Sequence, residues 1–152
     1  PMYGDPKLLV DTFKLESAGI GKGTYTVRPQ DTEGHFTGPF KDIQLWRGVD
    51  QLESLAQAMG LTVLETEGDT GALGIFRGVR GGVRFLGMIF LGDTVELSTS
   101  ITRRTQEGII GDGRIRSGGR VVMEAEGIDL GLIPDANMAR KLVSLQRSKR
   151  SE

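Results

Sequence analysis

One stretch of this chain has helical periodicity, and most of the remainder alternates in the manner of β-strands. Between residues 48 and 63 the apolar side chains recur every three or four positions, which is typical of an amphipathic helix pressed against a sheet. Strand-like segments follow at residues 72–79, 83–90, 94–105, 108–116 and 120–132. The pattern predicts an α+β fold in which one long helix packs on an antiparallel sheet.

Glycines mark the breaks between these segments. The chain has 23 glycines in 152 residues, roughly twice the share expected of an average protein. Turns of the hairpin type are predicted at Gly81–Gly82, Gly92–Asp93 and Gly118–Gly119, and another at Gln106–Glu107. An N-terminal hairpin is predicted to pair residues 8–16 with the alternating segment 24–27.

The length suits one domain with one core. We assign residues 6–132 to this domain and residues 133–152 to a C-terminal extension that begins beside Pro134. The extension is predicted to form a short helix over residues 137–147, followed by a basic tail.

The composition argues against several classes of function. A net charge of -1 provides no general field for a polyanion, so nucleic acid is not an expected ligand. The absence of cysteine excludes thiolate metal sites and a cysteine nucleophile, and it fits a reducing compartment. Since no run of about twenty apolar residues is present, we expect a soluble cytoplasmic protein with no membrane segment.

The chemistry best supported by this composition is proton transfer. His35 is the only histidine and lies between Gly34 and Gly38, and Glu53 lies at the flank of the apolar arc of the helix. Partial burial raises the pKa of a carboxyl group and suits it to act as an acid. The alternatives are a surface histidine and a solvated glutamate. At the start of the helix, the backbone N–H of Gly48 is a candidate oxyanion donor.

Four ordered motifs give these residues a context. Gly34-His35-Phe36 with Gly38 is the first, and Gly48-Val49 with Glu53 and, four residues on, Gln57 is the second. The others are Pro6 with 8–11 (Leu-Leu-Val-Asp), and Arg84-Phe85 followed by Gly92-Asp93. Together they resemble the β-hydroxyacyl-acyl carrier protein dehydratase family, whose fold is the hot dog: a long central helix wrapped in an antiparallel sheet.

The resemblance implies a mechanism and a set of partners. His35 would remove the C2 proton of a 3-hydroxyacyl thioester, Glu53 would assist departure of the 3-hydroxyl group, and the Gly48 N–H would polarise the thioester carbonyl. The further substrate-binding positions are Gln57, Phe36, Trp46 and Phe85. The family needs no metal or redox cofactor, since the phosphopantetheine arm belongs to acyl carrier protein or coenzyme A. It forms homodimers or higher even oligomers in which two subunits share each site.

The chain departs from the family pattern between the two motifs. Thr37 and Arg47 stand where the family has proline, and His35 and Glu53 are separated by four residues more than is usual. The extra residues lie between Gly38 and Arg47, so we expect a changed pocket mouth lined by Phe40, Leu45 or Trp46 and a substrate other than an ordinary fatty acyl chain, such as a polyketide intermediate. A thioesterase of the same fold and a catalytically silent partner subunit are the alternative functions.

Arginines recur among the glycines of two strand segments. Arg77, Arg80 and Arg84 alternate with apolar residues, which favours exposed strand positions over a phosphate-binding loop. Arg114, Arg116 and Arg120 surround a predicted hairpin tip, and a solvated tip is the simpler interpretation than a docking patch for a carrier protein.

Overall fold

The structure, a computed structural model, describes residues 8–34, 38–40, 42–68 and 73–133. His35, Phe36 and the C-terminal helix predicted for residues 137–147 lie outside the described residues, so those predictions remain untested. In chain order the regular elements are β1 (Thr12–Ser17), β2 (Ile20–Thr26), α1 (Gly48–Glu67), β3 (Leu73–Phe85), β4 (Thr94–Arg104), β5 (Gly108–Ser117) and β6 (Arg120–Ile133), with short 3-10 turns at Pro29–Asp31 and Gly38–Phe40.

The six strands form one antiparallel sheet in the order β1-β2-β4-β5-β6-β3. Helix α1 packs on one face of this sheet and contacts all six strands. The predicted α+β architecture is therefore confirmed. The hairpins β1–β2, β4–β5 and β5–β6 join neighbours in the sequence. Strand β3 instead lies at the far edge and, among the described strands, pairs only with β6.

Helix α1 ends at Glu67, because the next residue, Gly68, has a positive φ that does not fit a helix. Its last hydrogen bond runs from the N–H of Gly68, at φ 80°, to the carbonyl of Leu64. The helix is one turn longer than the predicted end at residue 63. Nine of its residues are buried, and these form the face that contacts the sheet: Gln51, Ser54, Leu55, Ala56, Ala58, Met59, Leu61, Thr62 and Val63.

The predicted hairpin turn at Gly81–Gly82 is wrong. Strand β3 continues through both glycines, and its pairing with β6 shifts register between Val79 and Gly82. A Cβ on Gly81 would lie 2.9 Å from the Cγ of Glu126, and Gly82 has a φ of 106°. These glycines therefore permit an irregularity of the β-bulge type within one long strand. From the sequence alone, a glycine pair at such an irregularity looks the same as one at a turn.

The strand predicted over residues 83–90 ends early, at Phe85. In the segment that follows, Phe90 forms an isolated antiparallel bridge with Leu45, which lies in the loop just before α1. Two backbone hydrogen bonds extend this pairing, from the N–H of Trp46 to Ile89 (2.8 Å) and from the N–H of Leu91 to Gln44 (2.9 Å). The loop before the helix is thus fastened to the loop after β3.

The core lies between α1 and the inner face of the sheet. Its fully buried side chains include Trp46, Tyr25, Leu55, Met59, Leu97, Ile115, Met123 and Ile128. On the outer face, Arg77 and Arg80 both bind the carboxylate of Asp129, at 2.9 and 3.1 Å. In the described part of the chain, no helix combines the length and the apolar character needed to cross a membrane.

Candidate active site

The N-terminal segment is attached directly to the middle of α1. The backbone N–H of Leu9 donates to Oε1 of Gln57 (2.8 Å), and the hydroxyl of Ser54 donates to the carbonyl of Leu9 (2.6 Å). Ser54 and Leu9 are both fully buried. Two of the four sequence motifs are therefore joined by hydrogen bonds that satisfy buried backbone groups.

The end of β2 is held from two sides. Asp11 accepts a hydrogen bond from the N–H of Thr26 (2.7 Å) and forms an ion pair with Arg28. On the other side, Val27 exchanges backbone hydrogen bonds with Gly92 and Asp93, at 2.9 and 3.0 Å. The motif residues Asp11, Gly92 and Asp93 thus fix the strand end that leads toward His35.

Two glycines bound the predicted histidine turn. Gly34 has a φ of 69° and Gly38 a φ of 63°, values that favour glycine over residues with a side chain. Before Gly34, the N–H groups of Thr32 and Glu33 both donate to the carbonyl of Pro29, each at 3.1 Å. These hydrogen bonds stabilise the turn of backbone that leads into Gly34.

Glu53 is predicted at the flank of the apolar arc, but it lies on the side of α1 opposite the buried face. On a wheel of about 100° per residue it shares this side with Val49, Gln57 and Gly60, and the side chain of Val49 is 63% exposed. Glu53 itself is partly buried, and this burial raises the pKa of its carboxyl group. A hydrogen bond with Gln57 lowers that pKa and the charge of Asp50 raises it, each by less than the burial effect.

Gln57 joins the acid to the N-terminal segment. Its amide oxygen accepts the hydrogen bond from Leu9, and its side chain lowers the pKa of Glu53, which precedes it by four residues on the helix. Gln57 therefore links the N-terminal segment to the part of α1 that carries Glu53. The predicted contact between Gln57 and substrate remains a prediction.

The start of α1 has no side-chain cap. Arg47 occupies the N-cap position without capping the helix, and its guanidinium group binds Asp50 instead, at 3.3 Å. The first N–H groups of the helix therefore keep their capacity to bind a negatively charged oxygen. This geometry suits the oxyanion role predicted for the Gly48 N–H.

An aromatic ring covers Gly48. A Cβ built on this glycine would lie 2.5 Å from Cζ and 2.9 Å from Cε1 of Phe85. The ring of Phe85 is 54% exposed. Phe85, predicted as a substrate-binding residue, is thus placed beside the predicted oxyanion donor, and glycine is required at position 48 for this close contact.

Trp46 is placed in the core. Its side chain is 1% exposed and stacks on Tyr25, with ring centroids 5.3 Å apart. Phe40 and Ile43, in the extended loop, are exposed instead. Of the residues considered for the pocket mouth, Phe40 is therefore the one most accessible from solvent, and substrate contact by Trp46 remains a prediction.

Sequence reasoning overlooked Asp31 and Ser54, and it identified Asp11 as a motif residue without predicting its contacts. Asp31 is fully buried and accepts hydrogen bonds from the Tyr25 hydroxyl (2.5 Å) and the Arg28 N–H (2.8 Å). A polar stretch before a turn does not reveal which side chain points inward. Among the described residues, no three histidine, aspartate or glutamate side chains group as metal ligands.

Comparison with known proteins assigns the family. A family model described as the FabA-like domain matches residues 10–126, well over half of the chain. The chain belongs to the FabA-like family. Among its relatives are the 3-hydroxyacyl-[acyl-carrier-protein] dehydratases FabZ of Listeria welshimeri and Bacillus pumilus. Each is 32% identical to this FabA-like protein over 124 residues, covering 80% of this chain and 83% of the relative.

Solved structures confirm the hot-dog fold of this FabA-like protein. A Streptococcus mutans protein bound to acetyl CoA aligns with a TM-score of 0.62 at 13% identity, covering 87% of this chain and 95% of that chain. A hypothetical thioesterase with coenzyme A from Streptococcus pneumoniae aligns with a TM-score of 0.58 at 16% identity, covering 82% and 88%. At these identities the likeness concerns the fold alone.

Proposed function

We propose that this protein is a hydro-lyase that converts a 3-hydroxyacyl thioester, carried on acyl carrier protein or coenzyme A, to the trans-2-enoyl thioester. Its FabA-like membership and its 32% identity to FabZ dehydratases support this reaction. The observation that carries the proposal is the placement of Glu53, which lies partly buried in the second turn of α1, close to the uncapped start of this helix. Burial also raises the pKa of its carboxyl group.

The reaction divides into two proton transfers. The imidazole of His35 takes the C2 proton, and the electron pair of the C2–H bond becomes the new C2=C3 bond. The C3–O bond breaks, and its electron pair leaves with the hydroxyl oxygen. The carboxyl group of Glu53 gives that oxygen a proton, so that water departs. A raised pKa keeps more of Glu53 in the protonated form that this step needs.

The N-terminus of α1 would stabilise the charge that develops on the thioester oxygen. An uncapped helix start offers backbone N–H groups and the positive end of the helix dipole. The ring of Phe85, at van der Waals contact with Gly48, would shield this point from water. Base, acid and oxyanion donor suffice for an elimination, so we propose that the protein needs no metal or redox cofactor. Location in the cytoplasm is part of this proposal.

We infer that the active unit is a homodimer or a higher even oligomer. Strand β3 is a long edge strand, and such edges pair readily with another chain. Apolar side chains around the start of α1 are exposed, which favours their burial by a second subunit. These are Val49 (63%), Phe85 (54%), Leu86 (46%) and Met88 (69%).

Product analysis tests the reaction. The protein is incubated with 3-hydroxyacyl thioesters of varied chain length and branching, and enoyl thioester and free thiol are quantified by mass spectrometry. We expect enoyl product from the wild type and its loss in His35→Ala and Glu53→Gln. Glu65→Gln, an exposed carboxylate on the same helix, is the matched control and should retain the wild-type rate.

Three outcomes would overturn the proposal. Equal rates in the wild type, His35→Ala and Glu53→Gln would remove these residues from the chemistry. Free thiol without enoyl product would identify a thioesterase. No turnover alone, combined with activity only in the presence of an active relative, would identify a partner subunit.

A further inference from the structure

A continuous buried network connects the segment before His35 to the first turn of α1. It begins at Asp31, whose carboxylate is fully buried and receives hydrogen bonds from the Tyr25 hydroxyl (2.5 Å) and the Arg28 N–H (2.8 Å). The Tyr25 ring then stacks on Trp46 at a centroid distance of 5.3 Å and an interplanar angle of 28°. The Trp46 carbonyl in turn accepts a hydrogen bond from the Gln51 amide (3.1 Å).

Each end of this network lies close in sequence to a proposed catalytic residue. Asp31 precedes His35 by four positions, and Gln51 precedes Glu53 by two. Asp31 is 0% exposed and Gln51 is 4% exposed, so both ends are buried in the packed interior. Tyr25 links them through Trp46, since its hydroxyl donates to Asp31 and its ring stacks on Trp46. The Trp46 carbonyl then accepts the hydrogen bond from Gln51.

Packing alone does not explain why position 31 carries a buried carboxylate that is hydrogen-bonded to the Tyr25 hydroxyl. An apolar side chain at position 31 would fill the same space without the cost of removing a carboxylate from water, which is several kcal/mol per ion. Burial and the Asp31 hydrogen bond raise the pKa of Tyr25, which keeps its hydroxyl protonated as a donor. The Arg28 guanidinium lies 4.9 Å from the centre of the Tyr25 ring and is bound to Asp11, so its charge also holds this ring in place.

We propose that Asp31 and Tyr25 are positioning residues for the dehydration. Their hydrogen bond holds the backbone that enters the His35 turn at a fixed place relative to the N-terminal end of α1. The inference rests on the proposed function. Neither side chain is a catalytic residue, because each acts through the backbone and through Trp46.

The test compares two conservative variants with a control of matched type. Tyr25→Phe removes the hydroxyl and keeps the stacked ring, and Asp31→Asn keeps the size and removes the charge. Thr99→Val is the control, because it removes a buried hydroxyl that is hydrogen-bonded to Thr62 (3.1 Å) on the C-terminal half of α1. All variants are assayed well below their melting temperatures with saturating 3-hydroxyacyl thioester.

We expect Tyr25→Phe and Asp31→Asn each to lower kcat by about tenfold to a hundredfold while KM stays within about a factor of two. The double variant should fall little further than the stronger single variant, because both act on one link. Thr99→Val should lose thermal stability and keep its kcat. If Tyr25→Phe and Asp31→Asn lose only stability, as Thr99→Val does, the positioning role is overturned.

A second measurement keeps this inference separate from the proposed reaction. Hydrogen exchange of the backbone N–H groups of residues 32–34 is followed by mass spectrometry in the wild type and in Tyr25→Phe. Faster exchange in the variant supports the network even if the wild type forms no enoyl product. Unchanged exchange at residues 32–34 would overturn the inference. Absence of enoyl product from the wild type would overturn the proposed function, and with it the role in dehydration, but not the structural link between Asp31 and Tyr25.

Discussion

The ring of Phe85 lies against the backbone of Gly48 so closely that a methyl group on this glycine would be 2.5 Å from Cζ. The contact joins the end of strand β3 to the first residue of α1. Position 48 is therefore constrained by the approach of a side chain from a distant part of the chain. A glycine before a helix indicates a helix start, but the ring beside it is a tertiary contact.

Gly48→Ala should destabilise the protein and lower kcat/KM. The added methyl group displaces the Phe85 ring, and because Phe85 is half exposed we expect a cost near the lower end of the about 1–3 kcal/mol typical of overpacking. This exceeds the roughly 0.5–1 kcal/mol that alanine gains over glycine in a helix. Urea unfolding and steady-state kinetics with a 3-hydroxyacyl thioester measure the two effects.

Two companion variants isolate the cause. Gly60→Ala, in the same helix, places its methyl group where no heavy atom lies within 4 Å, and should stabilise the protein. In a Phe85→Ala background, Gly48→Ala should cease to be destabilising because the ring is gone. A persistent loss of stability in that double variant would contradict the steric explanation.

Glu53→Gln should raise stability at neutral pH while abolishing activity. Burial raises the folded-state pKa of Glu53 above its ordinary value of 4.5, so above that folded pKa the native protein carries a partly buried charge at a cost. Glutamine removes the cost. Below the ordinary value, the carboxyl group is protonated in both folded and unfolded states, and the advantage of Glu53→Gln should vanish. Thermal unfolding between about pH 4 and pH 8 measures the trend, with Glu65→Gln as the exposed control.

Asp129→Asn should weaken the attachment of β3 to β6. Hydrogen bonds from Arg77 and then Arg80 hold the pKa of Asp129 below its ordinary value of 3.8, although burial opposes this. The carboxylate therefore stabilises the fold above pH 3.8, and this contribution is lost as the pH falls through the folded-state pKa. At neutral pH we expect a loss of about 1–2 kcal/mol, since both arginines are partly solvated.

Glu124→Gln is the matched control for Asp129→Asn. It breaks the ion pair between Glu124 and Arg84, which spans the same two strands at 3.6 Å with Arg84 71% exposed. A solvated pair of this kind contributes less than about 1 kcal/mol. Equal losses in the free energy of unfolding of the two variants, measured by urea unfolding, would show that the burial of Asp129 does not strengthen its ion pairs.

Mixing two inactive variants tests whether two subunits share a site. If His35 of one subunit works with Glu53 of another, dimers that combine His35→Ala with Glu53→Gln contain one intact site. Random re-association after mild unfolding should then restore about a quarter of the wild-type rate. No recovery, in a mixture shown by mass spectrometry to contain mixed dimers, would place both residues of each site in one chain. A monomer by light scattering would exclude the shared site altogether.

Much of the fold could be predicted from local sequence patterns. The helix beginning at Gly48 and the hairpin tips at Gln106–Glu107 and Gly118–Gly119 agree with the structure because periodicity and turn residues act over a few positions. Gly81–Gly82 misled the prediction because a glycine pair suits a bulge as well as a turn. The choice between them depends on the pairing with Glu126 of β6, 44 residues after Gly82.

The sequence by itself determined the class of fold and the family, since ordered motifs such as Gly34-His35-Phe36 survive in the linear order of residues. It also placed Glu53 on the helix, because a period of 3.6 residues needs no knowledge of neighbours. Only the tertiary structure decided that Gln57 is bound to Leu9, that Phe85 covers Gly48 and that Asp31 is buried beside Tyr25. These relationships join atoms that are distant along the chain. They depend on how α1, the sheet and the loops pack together, which local sequence patterns do not show.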